Sequence, residues 1–112
     1  MESNIFEQQK TPSAADVDAL GHVNNIVYVR WVQDMAVAHS DAAGFDLETY
    51  RKEGAVFVVR RHEVEYLRPA YDGERLVLRT WIADWKGASS WRETRVLRES
   101  DGLEVVRART LW

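Results

Sequence analysis

The stretch DVDALGHVNN, residues 16–25, concentrates reactive polar side chains directly before a largely apolar run. It holds two carboxylates, Asp16 and Asp18, and one imidazole, His22. If a helix begins at Asn24, its first turn offers free N–H groups and a positive partial charge, which can hold a carbonyl oxygen as it becomes an oxyanion. A carboxylate on the preceding loop can attack that carbonyl or deprotonate a water. This set of groups fits acyl transfer to water.

Each residue of this run also has an ordinary structural interpretation. Asp16 and Asp18 suit a solvated loop and supply favourable charge near a helix N-terminus. His22 alone is typical of a hydrogen-bonded loop histidine, Gly21 permits a positive φ in the turn, and Asn24 is a good N-cap residue. It is their combination at one helix end that favours a catalytic site.

The helix that must position these groups is predicted from Asn24 to Ala43, with Gly44 as its C′ residue. Apolar residues recur along it at helical spacing, and further apolar residues fall on other faces. The first set is Ile26, Val27, Trp31, Val32, Met35 and Ala38, and the second is Tyr28, Val29 and Val37. Because a helix that is apolar on most sides is buried, we expect a curved sheet to wrap around it.

The rest of the chain predicts β-strands joined by glycine-containing turns. A polar edge strand is expected at 6–11, and a short helix or turn at 45–54. Four more strands are expected at 55–67, 75–85, 89–99 and 103–112, separated by Asp72-Gly73, Lys86-Gly87 and Asp101-Gly102. Such a succession predicts an antiparallel meander. The expected fold class is therefore α+β, one antiparallel sheet curled around a central long α-helix, in a single domain over residues 1–112.

Composition argues against several classes of function. The net charge is −3, and 15 Lys and Arg are scattered among 18 Asp and Glu, so we expect no nucleic-acid partner. The absence of cysteine, of a visible secretory signal and of an apolar stretch long enough to span a membrane favours the cytoplasm. His22, His39 and His62 lack metal-like spacing, and no phosphate-binding glycine motif occurs, so we expect neither metal nor cofactor. Five Trp in 112 residues hint at oligomerisation.

The helix-start motif also carries a resemblance. The pattern Asp16-x-Asp18-x-x-Gly21-His22-Val23-Asn24-Asn25-x-x-Tyr28-x-x-Trp31 resembles the signature of hotdog-fold thioesterases of the 4-hydroxybenzoyl-CoA thioesterase-like group. Its HVNN segment is similar to that of plant acyl-ACP thioesterases. A second stretch, Glu65-Tyr66-Leu67-Arg68-Pro69-Ala70 followed by Gly73 and Leu76, resembles the second strand and hairpin of the family. The resemblance covers essentially the whole chain, and the order of elements predicted above is that of a hotdog fold.

The resemblance implies roles for individual residues. Asp18 matches the catalytic acid, acting as nucleophile or general base, and the backbone N–H of Asn25 matches the donor to the thioester carbonyl. His22 matches a histidine implicated in the acyl-ACP enzymes. Those enzymes place an asparagine two residues after the Asp, where this chain has Leu20, and this departure favours an acyl-CoA type of site. The residues expected to contact substrate are Gly21, Asn24 and Tyr28.

The implied activity is hydrolysis of an acyl-CoA to free acid and CoA by a homodimer, or a homotetramer, with sites between subunits. Arg60, Arg61, Lys86 and Arg92 are possible partners for the CoA phosphates, although such side chains more often face solvent or pair with acids. Two alternatives stay open, an acyl-ACP thioesterase and a non-catalytic module that binds acyl-CoA or acyl-ACP, because a fold alone does not select a function.

Overall fold

The strands and the helix occur in the predicted order along the chain. The computed structural model describes residues 5–43, 58–87 and 89–112. Strand β1 spans Phe6–Lys10 and is followed by a short 3-10 turn at Ala14–Asp16. Helix α1 then spans Asn25–Ala42, and the remaining strands are β2 (Arg61–Tyr66), β3 (Leu76–Lys86), β4 (Ser89–Arg98) and β5 (Glu104–Leu111). Gly44 and the short helix predicted at 45–54 lie outside the described residues.

The five strands form one antiparallel sheet in the order β1-β3-β4-β5-β2. Strands β3, β4 and β5 are consecutive neighbours, and Gly87 and Gly102 take φ values of 58° and 72° between them, as tight turns require. The predicted meander is therefore confirmed for these three strands, and the predicted edge position of β1 is confirmed as well.

The predicted pairing of β2 with β3 is wrong. Strand β2 crosses to the far edge of the sheet and pairs with β5, with Val64 opposite Ala108. The reason is that both edges of β3 are already occupied, by β1 and by β4. The turn at Asp72-Gly73 consequently serves the crossover rather than a hairpin, and the Gly73 N–H donates to the carbonyl of Pro12 at 2.9 Å.

Helix α1 begins where the sequence predicts. Asn24 has an extended backbone, and its Oδ1 accepts a hydrogen bond from the Ile26 N–H at 3.1 Å, which makes it the N-cap. At the other end Ala43 is the C-cap, and its N–H donates to the carbonyl of His39 at 3.1 Å. The described structure thus confirms both the predicted cap and the approximate length of the helix.

One face of α1 packs on the sheet and supplies much of the core. The buried helix residues are Val27, Tyr28, Trp31, Val32, Met35 and Ala36, and the facing sheet positions include Leu76, Leu78, Val96, Val106 and Ala108. The alternation along each strand turns these side chains to the same face. Full burial of one such Val or Leu side chain stabilises the fold by about 1.5–3 kcal/mol. The combination of a long helix and a curled five-stranded antiparallel sheet confirms the predicted fold class.

The expectation that the helix is covered on most sides is not met by the described residues of the single chain. Ile26 is 70% exposed and Val37 is 58% exposed. The sheet covers only one side of the helix, so the apolar residues that point away from it remain in contact with solvent. Within the described residues, no helix is long and apolar enough to cross a membrane.

Candidate functional site

The loop before α1 holds the Asp18 carboxylate in a defined position. Asp18 Oδ1 accepts hydrogen bonds from the N–H groups of Leu20 at 2.9 Å and His22 at 3.3 Å. The Asp18 N–H donates to the His22 carbonyl at 2.8 Å, and the Gly21 N–H donates to the Asp18 carbonyl at 3.0 Å. Gly21 closes this loop with a φ of 80°, a value that side-chain-bearing residues rarely adopt. Asp18 Oδ2 bonds no described residue and is free to meet a substrate or a water.

Asp16 has a different environment from Asp18. Its Oδ2 accepts from the Ser13 N–H at 2.9 Å and from Ser13 Oγ at 3.3 Å, so the carboxylate closes the 3-10 turn. Its carbonyl accepts from the Asn24 N–H at 2.8 Å and anchors the start of the helix. Asp16 therefore supports the loop, while Asp18 presents a free oxygen.

The N-terminus of α1 offers one predicted donor that has no partner among the described residues. The N-cap takes the Ile26 N–H, and the Val27 N–H donates to the Asn24 carbonyl at 2.9 Å. The Asn25 N–H bonds no described residue, and Asn25 is exposed. Such an N–H at the positive end of an 18-residue helix can stabilise negative charge on a carbonyl oxygen.

A cavity of about 280 Å³ lies at this helix end. Its walls come from the loop before α1, the first turn of α1, and the end of β2 with the residues that follow it. The lining residues are Asp18, His22, Val23, Asn25, Tyr28, Tyr66, Leu67, Arg68 and Pro69. The structure thus brings four of the six predicted site residues together around one space. The other two, Gly21 and Asn24, act on the adjoining backbone as turn and cap.

The His22 side chain lines the cavity and has little polar contact with the residues around it. Its backbone bridges that of Tyr71, and the two rings meet edge to face with centroids 5.2 Å apart. Neither ring nitrogen bonds a described residue, so the imidazole is oriented by packing. The His22 side chain is therefore available to hydrogen-bond a ligand. No carboxylate of the described residues accepts a hydrogen bond from the ring and so orients it as a general base.

Two tyrosines line the cavity, and within the described parts of the chain only one of them has a partner for its hydroxyl. Tyr66 Oη donates to the Asn25 carbonyl at 3.1 Å and so ties the end of β2 to the first turn of the helix. Tyr28 is 3% exposed, and its hydroxyl has no partner among the described residues. Burial, followed by the charge of Glu74 and the nearby Tyr66, raises the pKa of Tyr28 to about 12. The Tyr28 hydroxyl therefore keeps its proton at neutral pH.

Three residues that are not among the predicted site residues also line the cavity, Tyr66, Leu67 and Arg68. They belong to the second stretch that resembles the family, and this resemblance is the feature of the sequence that points to them. Arg68 Nη1 donates to the Glu104 carbonyl at 2.5 Å, which fixes the segment after β2 against β5. The three residues reach the start of α1 because β2 crosses to the far edge of the sheet.

Arg92, one of the four possible partners for the CoA phosphates, is turned into the core instead. Arg92 is 6% exposed, and its Nη1 contacts His39 Nδ1 at 2.9 Å and Thr80 Oγ1 at 3.2 Å inside the core. Arg61 pairs with Glu63 at 3.1 Å on the surface. In the described parts of the chain, no cluster of three or more His, Cys, Asp or Glu is arranged to hold a metal ion.

Comparison with known proteins identifies the family of the chain. A family model described as the thioesterase-like superfamily matches residues 12–111. The chain is 33% identical over 88 residues to Protein THEM6 of Danio rerio, a match that covers 79% of this chain and 43% of that protein. It is 30% identical over 73 residues to the putative acyl-CoA thioesterase YneP of Bacillus subtilis, covering 65% of this chain and 53% of that protein. The chain therefore spans about half the length of the curated relatives it matches.

A solved structure shows the same architecture. The probable thioesterase from Bartonella henselae superposes with a TM-score of 0.86 at 25% identity, covering 96% of this chain and 88% of that one. The arrangement shared with such thioesterases is the hotdog fold, a long helix against a curled antiparallel sheet. Since the family model matches nearly the whole chain and the fold agrees with it, the chain belongs to the thioesterase-like superfamily.

Proposed function

We propose that this protein is an acyl-CoA thioesterase, related to the 4-hydroxybenzoyl-CoA thioesterase-like group, that hydrolyses an acyl-CoA to a free acid and CoA. The observation that carries the proposal is the pairing of two unsatisfied groups at one cavity. Asp18 presents a free carboxylate oxygen, and Asn25 presents a free backbone N–H at the helix start. Membership of the thioesterase-like superfamily supports the reaction class. The name of the relative YneP, putative acyl-CoA thioesterase, supports CoA as the carrier.

In the proposed reaction the thioester carbonyl oxygen accepts a hydrogen bond from the Asn25 N–H. Asp18 Oδ2 then attacks the carbonyl carbon and expels the CoA thiol, and water hydrolyses the resulting mixed anhydride. Alternatively, Asp18 deprotonates a water that attacks the same carbon directly. Both routes consume one water and release one acid and one thiol. The hydrogen bonds to Oδ1 orient the carboxylate in either case.

We propose further that a second copy of the chain covers the site, as a homodimer or as part of a homotetramer. Asp18 and Asn25 are exposed in the single chain, so one copy alone does not exclude water from the reacting groups. Large apolar side chains beside them are exposed as well, including Leu20 at 77% and Ile26 at 70%. Burial of such residues against a partner is favourable, and a partner would also dry the cavity.

The test of the function is turnover of a panel of acyl-CoAs, with thiol release read by a thiol reagent. Asp18→Asn retains a side-chain oxygen for the N–H groups of Leu20 and His22 but removes the charge. We expect it to lower kcat by about 100-fold or more, as loss of a catalytic base or nucleophile does. Asp16→Asn is the matched control, because Asp16 is a carboxylate of the same loop that does not line the cavity.

Near-normal turnover by Asp18→Asn would overturn the assignment of Asp18. Tight binding of acyl-CoA without release of thiol by the wild-type protein would instead favour the non-catalytic acyl-binding module. Release from acyl-ACP but not from acyl-CoA would identify the acyl-ACP thioesterase alternative. The same panel also identifies the acyl group.

A further inference from the structure

The backbone on either side of the Asn25 N–H is fixed by hydrogen bonds. On one side, the Asn24 carbonyl of the same peptide accepts from the Val27 N–H at 2.9 Å. On the other side, the Asn25 carbonyl accepts from Tyr66 Oη at 3.1 Å, and the Ile26 N–H of that peptide donates to the Asn24 side chain at 3.1 Å. These three bonds set the direction of the Asn25 N–H, and of the three only the bond from Tyr66 comes from a distant part of the chain.

Tyr66 is itself held on a fixed strand. It is the last residue of β2 and lies opposite Val106 of β5. The N–H of the next residue, Leu67, donates to the Val105 carbonyl at 2.8 Å and fastens the end of β2 to β5. The centroid of the Tyr66 ring lies 5.9 Å from that of Tyr28, which is buried in the core. The sheet and the core thus fix the position from which the Tyr66 hydroxyl reaches the helix.

The first turn of α1 is a place where such support matters for catalysis. Helix ends fray, since their first N–H groups have no partner within the helix. A donor to a developing oxyanion must be in place before the reaction, because a displacement of about 1 Å at a site can cost about 100-fold in rate. Partial burial raises the pKa of Tyr66, so its hydroxyl keeps the proton that the Asn25 carbonyl accepts.

We propose that Tyr66 is a positioning residue that holds the Asn25 N–H in the direction needed to bind the thioester oxygen as it becomes negatively charged. This inference rests on the proposed thioesterase function. Tyr66 acts through the backbone of Asn25, and its own hydroxyl is already spent on the Asn25 carbonyl. Because the oxygen carries most charge in the transition state, a misdirected donor lowers kcat more than it weakens substrate binding.

The first test compares Tyr66→Phe with the wild-type protein on the best acyl-CoA of the panel. Phenylalanine keeps the ring beside Tyr28 and removes only the hydroxyl that reaches Asn25. We expect kcat to fall by about 10-fold or more and KM to change by less than about 2-fold, as for an interaction made mainly in the transition state. Tyr71→Phe is the matched control, because Tyr71 is 47% exposed against 42% for Tyr66 and its hydroxyl bonds no described residue. It should leave both constants unchanged.

The second test reads the hydrogen bond to the thioester carbonyl directly. An acyl-CoA labelled with ¹³C at that carbonyl is bound to Asp18→Asn, in which turnover is slow, and its stretching band is found by isotope-difference infrared spectroscopy. A hydrogen bond from the Asn25 N–H polarises the carbonyl, so the band should lie below that of free acyl-CoA. Adding Tyr66→Phe should move the band back toward the free value, and adding Tyr71→Phe should not.

Unchanged kcat in Tyr66→Phe would overturn the inference, and so would a rise in KM alone, since the hydroxyl would then contact the substrate in the ground state. An equal loss of kcat in Tyr71→Phe, or a carbonyl band that Tyr66→Phe does not move, would overturn it as well. If the wild-type protein hydrolyses no acyl-CoA, the proposed function fails, and the infrared comparison is made on the wild-type protein. A lowered band that Tyr66→Phe restores would then support the role of Tyr66 in a site that binds without hydrolysis, and no lowered band would overturn it.

Discussion

Replacing Tyr28 by Phe should make the protein more stable. The Tyr28 hydroxyl is buried without a partner among the described residues, and burial of an unpaired hydroxyl costs about 1–3 kcal/mol. Phenylalanine keeps the ring and its contact with Trp31 at 5.5 Å. We therefore expect Tyr28→Phe to raise the free energy of unfolding at pH 7 by about 1–3 kcal/mol, and the Tm by roughly 4 °C per kcal/mol for a chain of this size.

The difference in stability between Tyr28→Phe and the wild-type protein should also grow in alkaline solution. Burial and the charge of Glu74 raise the pKa of Tyr28 from 10.0 to about 12. As the pH rises above 10.0, the unfolded chain loses the Tyr28 proton before the folded chain does, so the wild-type protein loses stability. Tyr28→Phe has no such proton. The advantage of the variant should therefore widen, by up to roughly 3 kcal/mol once the pH passes the folded-state pKa.

The assay is urea denaturation followed by tryptophan fluorescence, at neutral pH and at several values above pH 9. Tyr71→Phe serves as control, because it removes an exposed hydroxyl and should change stability by no more than about 0.5 kcal/mol. If Tyr28→Phe is less stable than the wild-type protein at pH 7, the hydroxyl has a stabilising partner in the free protein, and the reasoning is refuted. A difference in stability that stays constant above pH 10 would show that burial does not raise the pKa of Tyr28.

Two further predictions concern the other end of the helix and its exposed face. His39 Nδ1 must accept from Arg92 Nη1, which can only donate, so His39 is neutral, and burial and then the Arg92 charge lower its pKa below 6.5. As the pH falls through 6.5, His39 takes up a proton in the unfolded chain before it does so in the folded chain. The free energy of unfolding should therefore decline by at most about 1.4 kcal/mol per pH unit, and His39→Gln should remove that contribution. Equal pH dependence of unfolding in the wild-type protein and the variant would contradict this prediction. Sedimentation should give at least twice the chain mass, and Val37→Glu, at a position 58% exposed, should yield monomers with reduced turnover. A fully active monomer would contradict the proposed dimer.

Two opposing effects act on the charge of His39. A histidine in the last turn of a helix is favoured in its charged form by the helix dipole, by about 0.3–1 kcal/mol. His39 instead stacks on Phe6 with centroids 5.2 Å apart and points at the Arg92 guanidinium. Desolvation and the neighbouring cation outweigh the dipole, since both act on the ring directly. The sequence shows His39 near a helix end but gives no sign of the buried arginine beside it.

Local chemistry determined much of this protein from the sequence alone. The side chain of Asn24 caps the first turn of the helix that follows it, so the start of α1 is determined by neighbouring residues. The turns at Gly87 and Gly102 need positive φ, which glycine supplies, and they fix the β3-β4-β5 meander. The loop that orients Asp18 closes within five residues. The catalytic role predicted for Asp18 at the helix end stays a prediction until turnover is measured.

Only the tertiary structure decided where β2 lies and what surrounds the cavity. Both edges of β3 are filled, so β2 pairs with β5 and carries Tyr66 and Arg68 to the helix start. Arg92 is a second case that the sequence alone does not show, because the register of β4 places this charged side chain in the core beside His39. Spacing along the chain fixes contacts between near neighbours. Competition among strands for the same sheet edge, and the pairing of distant side chains, depend on the energy of the whole packed chain.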